Sequence, residues 1–268
     1  MYLELLIFPQ ALAGKEVPHR TARSTVAKAC EAFPLDPRLF ARDESGKTLT
    51  KIYPGMGDGG KDLPKPPLVT FRGGKGFFRI TGLGLEGVRL VRENAQLLCH
   101  ALSEHLQSPY SFKLNEGDCK AEQLHGYVNT YYVPTIVVMS KVHRWAKLTP
   151  PKGEPDHRRI NLEDLRPHIE REIREGLLAG CRFMDESYRE AGRTDMATQE
   201  SQLGTDDMLN IEIHEGSPNF QPMRPGDPLK ALFVNDLVFT AAVKLAGPWH
   251  FGRLRSRGHG VALPRMSR

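Results

Sequence analysis

The chain has 268 residues, of which 40% are apolar and 26% charged, with a formal net charge of +5 and a pI of about 9.0. That balance excludes a disordered or low-complexity chain and leaves room for the core of one large domain or two small ones. The positive excess is modest, so an anionic partner has to be read from where the cations fall.

The four cysteines, Cys30, Cys99, Cys119 and Cys181, show no C-x-x-C pairing. That argues against a structural zinc site, and a chain with a normal core has no need of disulfides, so reduced thiols in a cytoplasm are expected. Met1-Tyr2-Leu3-Glu4 lacks the basic start and apolar run of a signal peptide. No stretch approaches the roughly 18 apolar residues of a membrane span. A cytoplasmic protein with no membrane partner is the expectation.

In chain order, Tyr2 to Phe8 reads as a largely buried strand. A helix from about His19 to Phe33 follows, its apolar face set by Ala22, Val26, Ala29 and Phe33. Arg20 and Arg23 lie one turn apart at its start. A helix N-terminus is positive, so two arginines there point to a bound anion. Pro34 and Pro37 end the helix, and weak strand signals appear at Arg38–Arg42 and Leu49–Tyr53. Leu68 to Phe71 and Phe77 to Leu83 read as strands around Gly73-Gly74. Glu86 to Leu106 reads as a helix with Val91, Ala95, Leu98 and Leu102 on one face, and Tyr110 to Leu114 as a strand. The order βαββαβ is that of a ferredoxin-like unit.

Tyr127 to Met139, rich in Val, Tyr, Thr and Ile, opens the second half as a strand. A basic, Pro-rich connection from Lys141 to Arg159 leads into a helix to about Ala191, with Leu162, Leu165, Ile169, Ile173 and Leu177 as its apolar stripe. Gly192 to Asp207 reads as a mobile loop, Met208 to His214 as a half-exposed strand, and Ala231 to Val243 as one or two more. The reading is an α+β protein of two ferredoxin-like units in tandem. The first spans 1–120. The second spans 121–268, with an inserted Arg-rich helix at about 158–191 and a glycine-rich loop at 247–263.

No acid follows Asp236. Lys244, Arg253, Arg255, Arg257, Arg265, Arg268, His250 and His259 lie beyond it, interleaved with glycines at 247, 252, 258 and 260. Glycine lets a backbone approach a bulky ligand, and spaced arginines can sit on phosphates. Trp249, Phe251, Leu254, Val261 and Leu263 argue that this segment packs rather than trails in solvent. The long helix and its approach carry Arg158, Arg159, Arg166, Arg171, Arg174 and Arg182, mixed with Glu163, Asp164, Glu170, Glu172 and Glu175, so a solvated face of i,i+4 pairs competes there with an RNA-binding face.

Two motifs mislead. Gly55 to Asp62 falls one residue short of a P-loop, and Pro64, Pro66 and Pro67 forbid the helix that a P-loop must open. Gly82-x-Gly84-x-x-Gly87 fits a dinucleotide fingerprint, but a strand-to-helix turn explains its glycines. His100 and His105 are badly spaced for metal, and no cofactor is expected.

The segment Gly252-Arg-Leu-Arg-Ser256-Arg-Gly258-His259-Gly260-Val261 resembles the terminal glycine-rich loop, G-x-x-x-S-x-G-φ-G-φ, of the RAMP superfamily of CRISPR proteins, with histidine where an aromatic is usual. Within it the chain looks most like the repeat-RNA endonuclease of type IV systems, on three further stretches. These are Pro18-His19-Arg20-x-x-Arg23, the strand Tyr127-Val128-x-x-Tyr131-x-Val133-Pro134-x-x-Val137-Val138, and the Arg-bearing helix. The resemblance implies a metal-independent endoribonuclease that recognises a CRISPR repeat hairpin, leaves a 2′,3′-cyclic phosphate and stays on the mature guide RNA, with other protein subunits of an effector complex as partners. It implies His19 as general base or acid and Arg20, Arg23 and Arg38 as phosphate clamps, with Tyr2, His250 and His259 in reserve. RNA-binding is expected of Arg158, Arg159, Arg166, Arg171, Arg174 and Arg182 at the stem and of Arg253, Arg255, Ser256, Arg257 and His259 on phosphates. A non-catalytic RAMP subunit holding guide RNA shares all these motifs. An unrelated RNA-binding protein with ferredoxin-like domains ranks behind, since Lys75-Gly76-Phe77-Phe78 matches only the beginning of an RNA-recognition motif.

Overall fold

The computed structural model describes residues 1–43, 45, 52–53, 63–139, 161–197, 199, 203, 209–222, 230–253 and 255–265. The elements are β1 (Tyr2–Pro9), α1 (His19–Ala29), β2 (Ile52–Tyr53), β3 (Leu63–Pro64), β4 (Val69–Gly74), β5 (Phe77–Leu83), α2 (Gly84–Leu106), β6 (Tyr110–Gly117) and β7 (Lys120–Gln123). They continue with β8 (Asn129–Met139), α3 (Leu162–Glu190), β9 (Glu212–Pro222), β10 (Lys230–Ala241), β11 (Val243–Ala246), β12 (Trp249–His250) and β13 (Val261–Pro264).

Alternation decides the first layer. In β1, Leu3, Leu5 and Ile7 are wholly buried beneath α1 and α2, while Tyr2 and Glu4 point to the other face. Each such side chain contributes about 1.5–3 kcal/mol by leaving water. The sheet runs β4-β5-β1-β6 with every neighbour antiparallel. With α1 and α2 both on one face, this is the βαββαβ order that the sequence suggests. β4 is an edge strand, which leaves a row of unpaired backbone groups for something else to cover.

The second sheet runs β12-β13-β8-β10-β9. Leu165, Ile169, Ile173 and Leu177 recur at helical spacing along α3 and bury against Val133, Ile136, Leu237 and Phe239 of this sheet. Strands β13, β8, β10 and β9 stand in the spatial order of β6, β1, β5 and β4. The helix α3 joins β8 to β9, so it takes the place of a first crossover helix rather than standing as an insertion. What differs is the connection from β10 to β13. No described helix longer than a 3-10 turn occupies it, and β11, β12 and the glycine-rich segment fill the space.

Smaller departures have local causes. Arg38–Arg42 is no strand: Pro37 opens a 3-10 turn, Pro37–Phe40, capped by Asp36, whose carboxylate accepts the Arg38 amide. The first helix ends at Ala29, short of Phe33. The strand expected at Met208–His214 begins at Glu212, after Asn210 takes a positive φ of 44°. The P-loop-like segment, the 141–159 connection and much of Gly192–Asp207 lie outside the described residues. All four cysteines are buried and none is in a disulfide. Among the described residues no helix is long and apolar enough to cross a membrane.

The two sheets are tied together. β7 pairs with β11. Tyr188 near the end of α3 donates to the Cys119 carbonyl at 3.1 Å and the Asp118 carboxylate at 3.2 Å, and Arg193 grips Asp118 through two nitrogens at 2.8 and 3.0 Å.

Candidate active site

Three segments meet at the open edge of β4. The first is the start of α1. Its N-cap is Pro18, which offers no side-chain acceptor, and its first turn holds no acid. The Val17 amide donates to the Gly74 carbonyl at 3.0 Å, which pins the approach of the helix to the end of β4. The uncapped positive end therefore carries His19 and Arg20 in its first turn and Arg23 one turn on.

The second is β4 itself. Arg72 lies directly across from Arg79 in the register of β4 and β5. Arg79 pairs with Glu4 at 3.2 Å. No carboxylate among the described residues lies within ion-pair distance of Arg72, and its buried Nε has no partner. Burial, reinforced by Arg79, brings its guanidinium down to about 10.

The third is the glycine-rich loop. Its ends are fastened to the second sheet: Phe251 N–H donates to the Gly260 carbonyl at 2.8 Å, Arg253 N–H to Val137 at 2.7 Å and Gly260 N–H to Thr135 at 2.8 Å. Trp249 and Phe251 seat against α3 at Gly180 and Gly176, where no side chain stands in their way. The loop then passes along the edge of β4. At Gly258 φ is +80°, and a Cβ there would lie 2.3 Å from the Phe71 carbonyl oxygen and 2.4 Å from Arg72 Cγ. Only glycine permits that approach, and it sets Arg257 and His259 beside His19 and Arg72.

The result is a cationic cluster with little counter-charge among the described residues. Burial, then Arg72, lowers the His19 imidazole, while a hydrogen bond to the Gly73 backbone and the charge of Glu16 oppose. Burial, then Arg257, His19 and Arg72, carry His259 to about 4. Its ring meets Phe233 edge-on at 5.6 Å. His250 lies beneath the loop, hydrogen-bonded to the His259 backbone and driven to about 3 by burial and by Arg72. Arg23 is lowered by burial and by Arg257 and Arg42, and its Nη2 donates to the Phe40 carbonyl. Buried nitrogens without partners gather here: His19 Nδ1, Arg23 Nε, Arg72 Nε and His250 Nδ1. Such groups cost stability unless an anion completes them.

Not every residue expected at the site joins it. Arg38 spends its guanidinium on Asp36, at 3.0 and 2.6 Å, and on Glu86 at 2.9 Å. Arg255 turns inward, 7% exposed, toward the Lys65 carbonyl at 3.4 Å. Arg253 binds Glu172 at 2.8 Å. That carboxyl is raised by burial against the opposing pull of Arg253. Tyr2 packs its ring beside Gly117, at the junction with β6. Ser256 and Arg257 are half-buried in a 3-10 turn, Arg255–Arg257. On α3, Arg166 pairs with Glu163 at 3.0 Å and the exposed Arg171 meets His168 Nδ1 at 3.4 Å, while Arg174 and Arg182 are half-buried. Arg158 and Arg159 lie outside the described residues. Sequence reading missed Arg72, Arg79 and Glu172. Only the strand register and the loop's path give them neighbours. Among the described residues no three His, Cys, Asp or Glu side chains are grouped as a metal site needs.

Antiparallel sheets, three described α-helices and a glycine-rich loop laid between them make up a fold similar to that of solved Cas6 structures. The particular likeness is to Csf5, a CRISPR-Cas type IV Cas6 crRNA endonuclease. It matches with a TM-score of 0.60 and 17% identity over 99% of this chain and 100% of that one. A Cas6b crystal structure matches over 99% of this chain and 100% of that one, at 0.49 and 11% identity. No family model and no curated protein matches the chain.

Proposed function

We propose that this protein is a metal-independent endoribonuclease that recognises and cleaves CRISPR repeat hairpins in precursor RNA and stays bound to the mature guide in a type IV effector complex. The observation that carries the reading is the convergence of an uncapped, acid-free helix start, bearing His19, Arg20 and Arg23, with the Arg257 and His259 face of the glycine-rich loop. The fold shared with Csf5 supports it.

The chemistry suits those groups. The 2′-hydroxyl attacks its own phosphate, so the 2′-oxygen–phosphorus bond forms as the bond to the 5′-oxygen breaks. His19, held neutral, takes the 2′ proton. The departing 5′-oxygen takes a proton from water, or from His259 once the bound phosphate has let that ring protonate, leaving a 2′,3′-cyclic phosphate and a 5′-hydroxyl. Arg20, Arg23 and Arg257 oppose the charge that grows on the phosphate, since arginine stays protonated throughout. Arg171, Arg174 and Arg182 of α3 lie along the hairpin stem, whose deep groove admits long side chains where it opens at the loop or the stem end.

The deciding experiment is incubation with a labelled repeat hairpin in EDTA, beside a copy with a 2′-deoxy sugar at the mapped cut. Cleavage in EDTA that the deoxy sugar abolishes supports the reading. Tight binding without cleavage moves the protein to a guide-binding subunit, and neither binding nor cleavage refutes the CRISPR assignment.

A further inference from the structure

Arg72 is placed at a cost that the fold does not recover. It faces a like charge, Arg79, straight across two hydrogen-bonded strands. Opposed like charges in a sheet destabilise it. Among the described residues the acid whose charge bears on it, Glu4, is held by Arg79. The stem of Arg72 lies against the backbone of Gly258, where an added Cβ would stand 2.4 Å from its Cγ. Its charge bears on all three histidines of the region, His19, His250 and His259. A half-buried guanidinium with no carboxylate partner among the described residues, on the strand edge where the start of α1 and the glycine-rich loop meet, is a preorganised seat for an anion.

We infer that Arg72 is the guanidinium that seats the scissile phosphate, gripping its non-bridging oxygens between His19 of α1 and His259 of the glycine-rich loop. The inference rests on the endoribonuclease reading and deepens it. Planar N–H donors aimed at the oxygens that gain charge in the transition state lower the barrier to the 2′-hydroxyl attack. Burial holds both imidazoles neutral in the empty site, and the Arg72 charge adds to it. His19 is also faced by Arg79 and by the opposing Glu16, and His259 by Arg257 and by His19. Arrival of the phosphate offsets the arginine field, so both rings gain proton affinity only when substrate is present.

The test compares wild type with Arg72→Gln and Arg72→Lys, using the repeat hairpin for single-turnover cleavage and its 2′-deoxy copy for binding. Arg72→Gln is expected to cut about 10²–10³-fold more slowly, as loss of one such donor does elsewhere, while affinity for the 2′-deoxy hairpin changes less than about tenfold because other phosphate contacts remain. Arg72→Lys keeps the charge but not the fork, and is expected to fall between. Two further readouts separate this role from a structural one. Thermal stability of Arg72→Gln should equal or exceed wild type, since an opposed charge is removed. The His19 and His259 titrations, followed by NMR in the free protein, should move up. A cleavage rate within threefold of wild type overturns the inference, as does a parallel fall in rate, affinity and melting temperature with unmoved histidine titrations. A wild-type protein that does not cleave the hairpin refutes the endoribonuclease reading itself, and with it this one.

Discussion

Gly258 is where the glycine-rich loop touches the first sheet, so Gly258→Ala tests whether that contact builds the site. Two costs can be worked from the structure. The backbone at φ +80° is one that L residues rarely adopt, worth about 1–3 kcal/mol. The added methyl would also stand 2.3 Å from the Phe71 carbonyl oxygen, against backbone that has no alternative rotamer. An ordinary carbon–oxygen contact is near 3.4 Å, so the loop must retreat by about 1 Å. A displacement of that size between catalytic groups costs about 10²-fold in rate. The expected result is a melting temperature lower by roughly 2–8 °C, single-turnover hairpin cleavage down about 10²-fold and affinity for the 2′-deoxy hairpin within about threefold. Cleavage within threefold of wild type would refute the claim that the loop and β4 together form the catalytic pocket.

Stability should fall with acid. The His250 and His259 imidazoles are neutral in the fold, at about 3 and about 4, against about 6.5 in an unfolded chain. Below pH 6.5 the unfolded state takes up protons that the folded state refuses. Each histidine then removes up to about 1.4 kcal/mol per pH unit until its folded value is reached. Urea midpoints between pH 7.5 and 4.5 should drop steeply in wild type and less so in His250→Asn; equal slopes would contradict the burial argument. Glu172→Ala strips Arg253 of its carboxylate and should cost about 1–2 kcal/mol, read by urea unfolding. Arg23→Ala should slow cleavage at least tenfold. Arg38→Ala, which loses half-exposed ion pairs with Asp36 and Glu86, should leave cleavage nearly intact and cost at most about 1 kcal/mol of stability. Affinity for the hairpin should fall steeply with salt, since each neutralised phosphate adds to the slope; a flat dependence would remove the phosphate contacts from the account.

The sequence shows strands and helices plainly where one face meets the core. Leu3, Leu5 and Ile7 in β1, the stripe of α2 and the Leu165–Leu177 stripe of α3 all declare their period in the chain. It shows a glycine-rich basic segment anchored by aromatics, which Trp249 and Phe251 bear out by seating on α3. It reads the connection from β10 to β13 as strand and glycine-rich loop, but not what that loop replaces. Glycine and arginine spacing gives no sign that a loop fills the position of a helix there. It gives no sign that Arg38 meets Asp36 or that Arg255 meets the Lys65 carbonyl, because a cation's partner is set by what folds against it.

By itself the chain determines its periods, its caps and breaks, and the placing of His19, Arg20 and Arg23 at a helix start, because these depend on neighbours within a turn or two. Tertiary structure alone decides which charges face each other. Arg72 opposes Arg79 only through strand register. Arg257 and His259 reach His19 only because Gly258 lets one backbone lie on another. The loop contacts join residues from 187 positions apart, Gly258 with Phe71, to 240 apart, His259 with His19, and no local pattern encodes a distance closed by the whole fold.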